Sequence, residues 1–216
     1  MRFLQYKKSK VSGLTILEIV ICIGILGLIT GGIIAFERNI ITTTKVLQTT
    51  LVSQRQVRKT MTTFASELRS SVVSANGSYN IESAGTSSIV FYANIDNATD
   101  TERIRYFLAT STGTTSIRVI KRGVTKPTGT TYATTTNEKI STVVNDIRYA
   151  TSTAIFTYYD KTYNGTSSTT PLAVPINIPD IRLVKLTLPV DPNAARSPVF
   201  QIYTTQIMIR NLKDNY

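Results

Sequence analysis

Between Ser12 and Phe36 the chain reads SGLTILEIVICIGILGLITGGIIAF, and from Leu14 onward this run holds one charged side chain, Glu18. About 23 apolar residues at 1.5 Å each span roughly 34 Å as a helix, enough to cross a bilayer. A membrane-crossing helix is therefore expected over 14–36. A carboxylate at the centre of such a helix is disfavoured by roughly 2.5 to 3.5 kcal/mol. Glu18 is thus either a functional group or an acid that reaches the headgroup region from near the end of the run.

The flanks give the segment a direction. Arg2, Lys7, Lys8 and Lys10 all precede the apolar run. The positive-inside tendency keeps that cluster cytoplasmic and sends the rest of the chain outward. A secretory signal would carry a shorter apolar core followed by a small-residue cut. Here the small pair Ser12-Gly13 comes before the core. A lipoprotein signal ending at Cys22 is rejected because the bulky Ile21 precedes the cysteine.

The helical signal continues past Phe36. Apolar Ile40, Leu47, Leu51, Met61, Phe64, Leu68 and Val72 recur at threes, fours and their sums, opposite Arg38, Lys45, Arg55, Arg58, Lys59 and Arg69. No proline appears before Pro127. One helix of about 60 residues is expected, ending near Ala75-Asn76-Gly77, where Asn and Gly suit a left-handed cap.

Composition narrows the chemistry open to the chain beyond this helix. The chain has no histidine, and its only cysteine is Cys22. Disulfides, Cys/His metal sites and thiol or imidazole catalysis are therefore excluded after Phe36. Ser or carboxylate chemistry stays open, but no paired-carboxylate motif stands out, so the chain is read as non-catalytic, with no cofactor or metal. Lys and Arg number 24 against 13 Asp and Glu, and 20 against 13 without the four leader cations. Such a surface favours anionic partners without specifying a fold.

The residues Gly13-Leu14-Thr15-Ile16-Leu17-Glu18, after a short basic leader and before a long apolar run, closely resemble the class III signal of type IV pilins and pseudopilins. The resemblance implies a prepilin peptidase that cuts after Gly13 and methylates the new amine of Leu14. It also makes Glu18 the acid that guides assembly, by meeting the Leu14 amine of a neighbouring subunit. No proline lies near Ala35, where many major pilins kink. Segment order, with Arg103 to Leu108, Phe156 to Asp160 and Ile207 to Asn211, is similar to the larger minor pilins and J-like or W-like pseudopilins. Implied partners are the peptidase, other pilins or pseudopilins through the N-terminal helix, and a membrane assembly platform. The implied location is single-pass in the cytoplasmic membrane with the C-terminal domain outside, then an extracellular or periplasmic filament.

Gly24, Gly27, Gly31 and Gly32 each disfavour a helix by about 1 kcal/mol relative to alanine, and Gly27 and Gly31 have G-x-x-x-G spacing. Close helix packing and local unwinding under tension both account for them.

After Gly77 the period shortens to that of strands, expected at 88–93, 103–109, 116–122, 140–149, 154–159, 181–188 and 199–210. Ile104, Tyr106 and Leu108 alternate with Arg103 and Arg105, as in a half-buried antiparallel strand. Prolines 171, 175, 179, 189, 192 and 198 are expected to confine or bound the last strands. The expected fold class is α+β, a long N-terminal helix, membrane-spanning in its first half, packed on an antiparallel β-sheet domain. Its parts are a cleaved basic leader (1–13), the transmembrane and assembly half of the helix (14–36), the amphipathic half (37–75) and an exported β-rich domain (76–216).

Two surface features carry weaker expectations. Asn94 to Glu102 gathers oxygen ligands that suit Ca2+ but lacks the spacing of an EF-hand loop, and reads as a solvated turn. Arg118, Lys121, Arg122 and Lys126 form a local basic group that reads as a solvated strand edge or as a contact for DNA or a glycan. The chain is thus expected to be a structural subunit of a type IV pilus or secretion-like filament, or else an adhesive or DNA-uptake subunit of one.

Overall fold

A computed structural model describes residues 13, 15–96, 100–111, 117–133, 137–148, 153–163, 165, 170–192 and 200–209. Leu14, leader residues 1–12, residues 97–99 of the acidic turn, the expected strand ends 116, 149 and 199, and residues 210 and 211 lie outside the described residues. The chain divides into two units, Met1–Leu47 and Gln48–Tyr216.

In the first unit, helix α1 (Ile16–Arg69) begins and carries the apolar run, whose most apolar stretch is wholly unburied. It is long and apolar enough to cross a membrane, consistent with a single-pass anchor. Hydroxyls within it turn back onto the helix: Thr30 Oγ1 donates to Leu26 O at 2.8 Å and Thr42 Oγ1 to Arg38 O. That satisfies two polar groups without water.

In the second unit, the remaining turns of α1 pack on an antiparallel sheet, giving the α+β arrangement. The strands are β1 (Ile81–Ala84), β2 (Ser88–Ala93), β3 (Glu102–Thr110), β4 (Ile117–Thr125), β5 (Lys139–Arg148), β6 (Phe156–Tyr159), β7 (Leu183–Val190) and β8 (Gln201–Met208). Their order is β1-β2-β3-β4-β5-β7-β6, with β8 pairing β7.

The buried helix face is Ser53, Val57, Thr60, Phe64, Ala65, Glu67 and Leu68, a stripe that returns every three or four residues. Phe64 is its hub, with its ring centroid 5.0 Å from that of Tyr106, 5.8 Å from Phe156 and 6.2 Å from Phe91. Edge-on and tilted aromatic contacts of this kind add to simple area burial. The expected stripe needs correction, because Ile40, Leu47 and Leu51 are exposed while polar Ser53, Thr60 and Glu67 are buried.

The helix also stops at Arg69 rather than near Gly77. Ser71 bridges Ala93, and Val72 N donates to Tyr92 O at 2.9 Å, so the sheet captures the backbone before the glycine is reached. Gly77 does adopt a left-handed φ of 80°, but in a tight turn closed by its N–H to Ser74 O at 2.9 Å.

Within the sheet, β3 alternates as expected: Ile104 and Tyr106 are buried toward the helix, and Arg103 and Arg105 point away. Arg103 makes two bonds to Glu82, at 2.6 and 2.7 Å, and Arg105 two to Glu138, at 2.8 and 2.5 Å. Pro189 stands inside β7 rather than at its end. Thr187 N and Asp191 N donate to Ile155 O and Asp146 O. By alternation, the nitrogen of Pro189 faces the same side, in the gap between β6 and β5, where no donor is needed.

Candidate functional site

The start of α1 is built around Thr15. Glu18 N donates to Thr15 O at 3.1 Å and to Thr15 Oγ1 at 3.3 Å, and Ile19 N donates to Thr15 O at 3.2 Å. Thr15 is thus the N-cap and Glu18 lies three residues on, where a carboxylate complements both the free N–H groups and the helix dipole. The sequence signal for this cap is the spacing Thr15-x-x-Glu18, which the apolar run and the leader overshadow.

Glu18 is exposed and is the only ionisable carboxylate from Ile16 to Phe36. The cap alone gives a carboxylate at this position a use within the chain. Gly13 is exposed beside it, with nothing within 4 Å of a Cβ placed there.

Gly24, Gly27, Gly31 and Gly32 lie inside unbroken α1, and a Cβ at each would meet nothing within 4 Å. No contact among the described residues therefore calls for their small size. At 100° per residue, Gly24, Gly27 and Gly31 fall within about 60° of one another, a strip on which another helix can approach closely.

In the second unit the strongest electrostatic feature is a buried network. Glu67 accepts from Tyr106 Oη at 2.7 Å and from Arg122 Nε at 3.2 Å, and its other oxygen takes a short bond from the same guanidinium. Burial, followed by the charge of Glu67, pushes the Tyr106 hydroxyl far above its ordinary range. Burial opposes the charge on Arg122, but the bonds to Glu67 outweigh it and raise its pKa. A cleft of about 470 Å³ opens over this network between Lys59 and Thr60 of α1 and Ser141 and Thr142 of β5. Its floor holds a closed ion pair with a protonated phenol, which supplies neither a nucleophile nor a free base.

The two weaker expectations fare differently. Arg122 is bound to Glu67, Lys126 to Asp96 at 2.5 Å, and Arg118 Nη1 donates to Thr110 at 2.6 Å, so three of the four basic residues are engaged within the chain. In the acidic turn, Asp96 takes Lys126 and Glu102 accepts Ile95 N at 3.2 Å. Burial raises the Glu102 pKa against the Ile95 bond, with Asp96 adding to the rise. Among the described residues no group of three or more His, Cys, Asp or Glu forms a metal site.

No protein-family model, curated protein or solved structure matches this chain.

Proposed function

We propose that the chain is a filament subunit of the pilin and pseudopilin type, made with a leader that a prepilin peptidase removes after Gly13. The observation that carries this reading is Glu18, a lone carboxylate in the first turn of a 54-residue helix whose first half is apolar enough to lie in lipid. The resemblance of Gly13 to Glu18 to a class III signal supports it independently of the fold.

On this reading the membrane holds residues 14–36 with the sheet domain outside, as the leader cations direct. Cleavage creates a cationic amine on Leu14, one helical turn from Glu18. In a filament Glu18 meets the amine of a neighbouring subunit, and the cap at Thr15 keeps its carboxylate at the head of the helix until then. A desolvated pair adds little net stability, but leaving one member alone costs several kcal/mol, so the contact selects the axial offset between subunits. The exposed strip of Gly24, Gly27 and Gly31 lets neighbouring helices approach.

Glu18→Gln separates the two roles of the acid, because glutamine serves at this position of a cap but carries no charge. The expected result is normal insertion with loss from the sheared filament fraction, read by blotting. Thr15→Val, which removes the cap and keeps the charge, is expected to assemble. Normal filament recovery of Glu18→Gln would overturn the assembly role.

A further inference from the structure

Strand β8 leaves one edge of the sheet open. It pairs with β7 alone, over eight residues without a register shift, and makes no backbone bond on its other side among the described residues. From Phe200 to Ile209 it holds no charged residue and no proline. Sheet edges are ordinarily blunted by shortness, bulges, charge or cover. The other ends of the sheet follow that rule. β1 has four residues, a register shift and the charged Glu82, and β6 has four residues, with Leu172 N donating to Tyr158 O at 2.8 Å.

Alternation fixes which atoms this edge presents. Ile209 N donates to Arg182 O at 3.1 Å, so the odd-numbered residues of β8 turn their backbone groups toward β7. The N–H and C=O groups of Ile202, Thr204, Gln206 and Met208 therefore face outward, over about 20 Å. Between β8 and α1 runs a groove of about 780 Å³. Thr204 and Thr205 form one wall and Arg58, Met61, Ala65 and Arg69 of α1 the other, with no carboxylate in the lining. Arg58 and Arg69 share one side of the helix, about 16 Å apart along its axis.

We infer that β8 and this groove accept one extended, acidic segment of a partner polypeptide, which adds to the sheet as a further strand. Main-chain bonds along the edge supply affinity, and the groove supplies selectivity through alternate side chains. Those on the inner face of the added strand lie over Met61 and Ala65, and carboxylates among them reach Arg58 and Arg69, whose guanidinium groups take a carboxylate with two bonds. A second copy of this chain is the poorer occupant, since its net charge is +11 and its own β8 brings no carboxylate. The inference stands apart from the filament proposal, because every residue it uses lies in the unit that starts at Gln48.

The test is fluorescence anisotropy of labelled peptides against the full chain in zwitterionic nanodiscs. The probe is a peptide of about eight residues that alternates valine and threonine and carries two glutamates four residues apart, about 13 Å in a strand. Saturable binding is expected, with amide hydrogen exchange slowed at Ile202, Thr204, Gln206 and Met208. Thr204→Pro removes one outward N–H and spares the bonds to β7, and should weaken binding at least about tenfold. Arg58→Gln with Arg69→Gln should weaken it too, and the same peptide with lysine for glutamate should not bind. Far-UV circular dichroism verifies that the variants are folded. The acidic peptide methylated on alternate amide nitrogens makes the edge test on the unaltered chain, and is expected not to bind. Absence of binding by the acidic peptide, equal binding of the methylated or the lysine peptide, or full binding by the double arginine variant would each overturn the inference. So would a dimer of the chain that Thr204→Pro dissociates, because a second copy would then hold the edge.

Discussion

The carboxyl group of Glu138 lies over the bare Cα of Gly123, so that a Cβ placed on this glycine would stand 2.7 Å from Glu138 Cδ and 3.1 Å from Cγ. Gly123 pairs with Arg105 across β3 and β4, and the missing side chain is what lets Glu138 reach that guanidinium with two bonds. The glycine here provides space, and its φ is not left-handed.

Gly123→Ala should therefore displace Glu138, break its pairing with Arg105 and destabilise the sheet by about 1 to 3 kcal/mol, the usual cost of overpacking. In Glu138→Ala the clash has no second party, so adding Gly123→Ala to that background should cost much less. Thermal unfolding followed by far-UV circular dichroism, over the four members of this cycle, reads the coupling directly.

The pair of Glu67 and Arg122 predicts an asymmetry of a different kind. Arg122→Leu leaves the buried Glu67 carboxylate with only the Tyr106 hydroxyl, and a loss of about 3 to 5 kcal/mol is expected. Adding Glu67→Leu should return part of that loss, since no buried charge is then left alone, although Tyr106 loses its acceptor at about 1 to 3 kcal/mol. Denaturant titration of the full chain in detergent, with tyrosine near-UV dichroism as the probe, distinguishes this from simple additivity.

Asp146 carries a pH prediction. It occupies a left-handed φ of 59°, and burial, with the charge of Asp191 adding to it, holds its pKa above the ordinary 3.8. A raised carboxyl pKa means that the ionised form weakens the fold at neutral pH and that this cost disappears as pH falls through the folded-state value. Asn keeps the left-handed backbone without the charge. Asp146→Asn should therefore stabilise the protein at pH 7 by on the order of 0.5 kcal/mol, a small figure because solvent screens a half-buried group. The gain should vanish below about pH 3.8, the unfolded-state value. Melting temperatures of both forms measured from pH 3 to 7 check the sign and the window.

These sites also mark how far local sequence reaches. The long helix shows in an apolar run with no proline before Pro127, and strand β2, found at its expected bounds Ser88–Ala93, in a short apolar run whose last five residues are all buried. Strand β1 escapes a reading by period because Ile81 is the only core side chain in its four residues. The helix ends earlier than its own residues imply because competition from Tyr92, more than twenty residues downstream of Arg69, decides it. Glu67 and Arg122 are 55 positions apart, and nothing in either neighbourhood announces the other. Pairing across the fold likewise engages Arg122 and Lys126, which the sequence presents only as part of a local basic group.

The central claim is that proteolysis after Gly13 makes the terminus on which Glu18 acts. Mass spectrometry of the N-terminal peptide from cells tests it most directly. The account predicts a chain that begins at Leu14 with a methylated amine. A chain that begins at Met1, or at any residue other than Leu14, would contradict it.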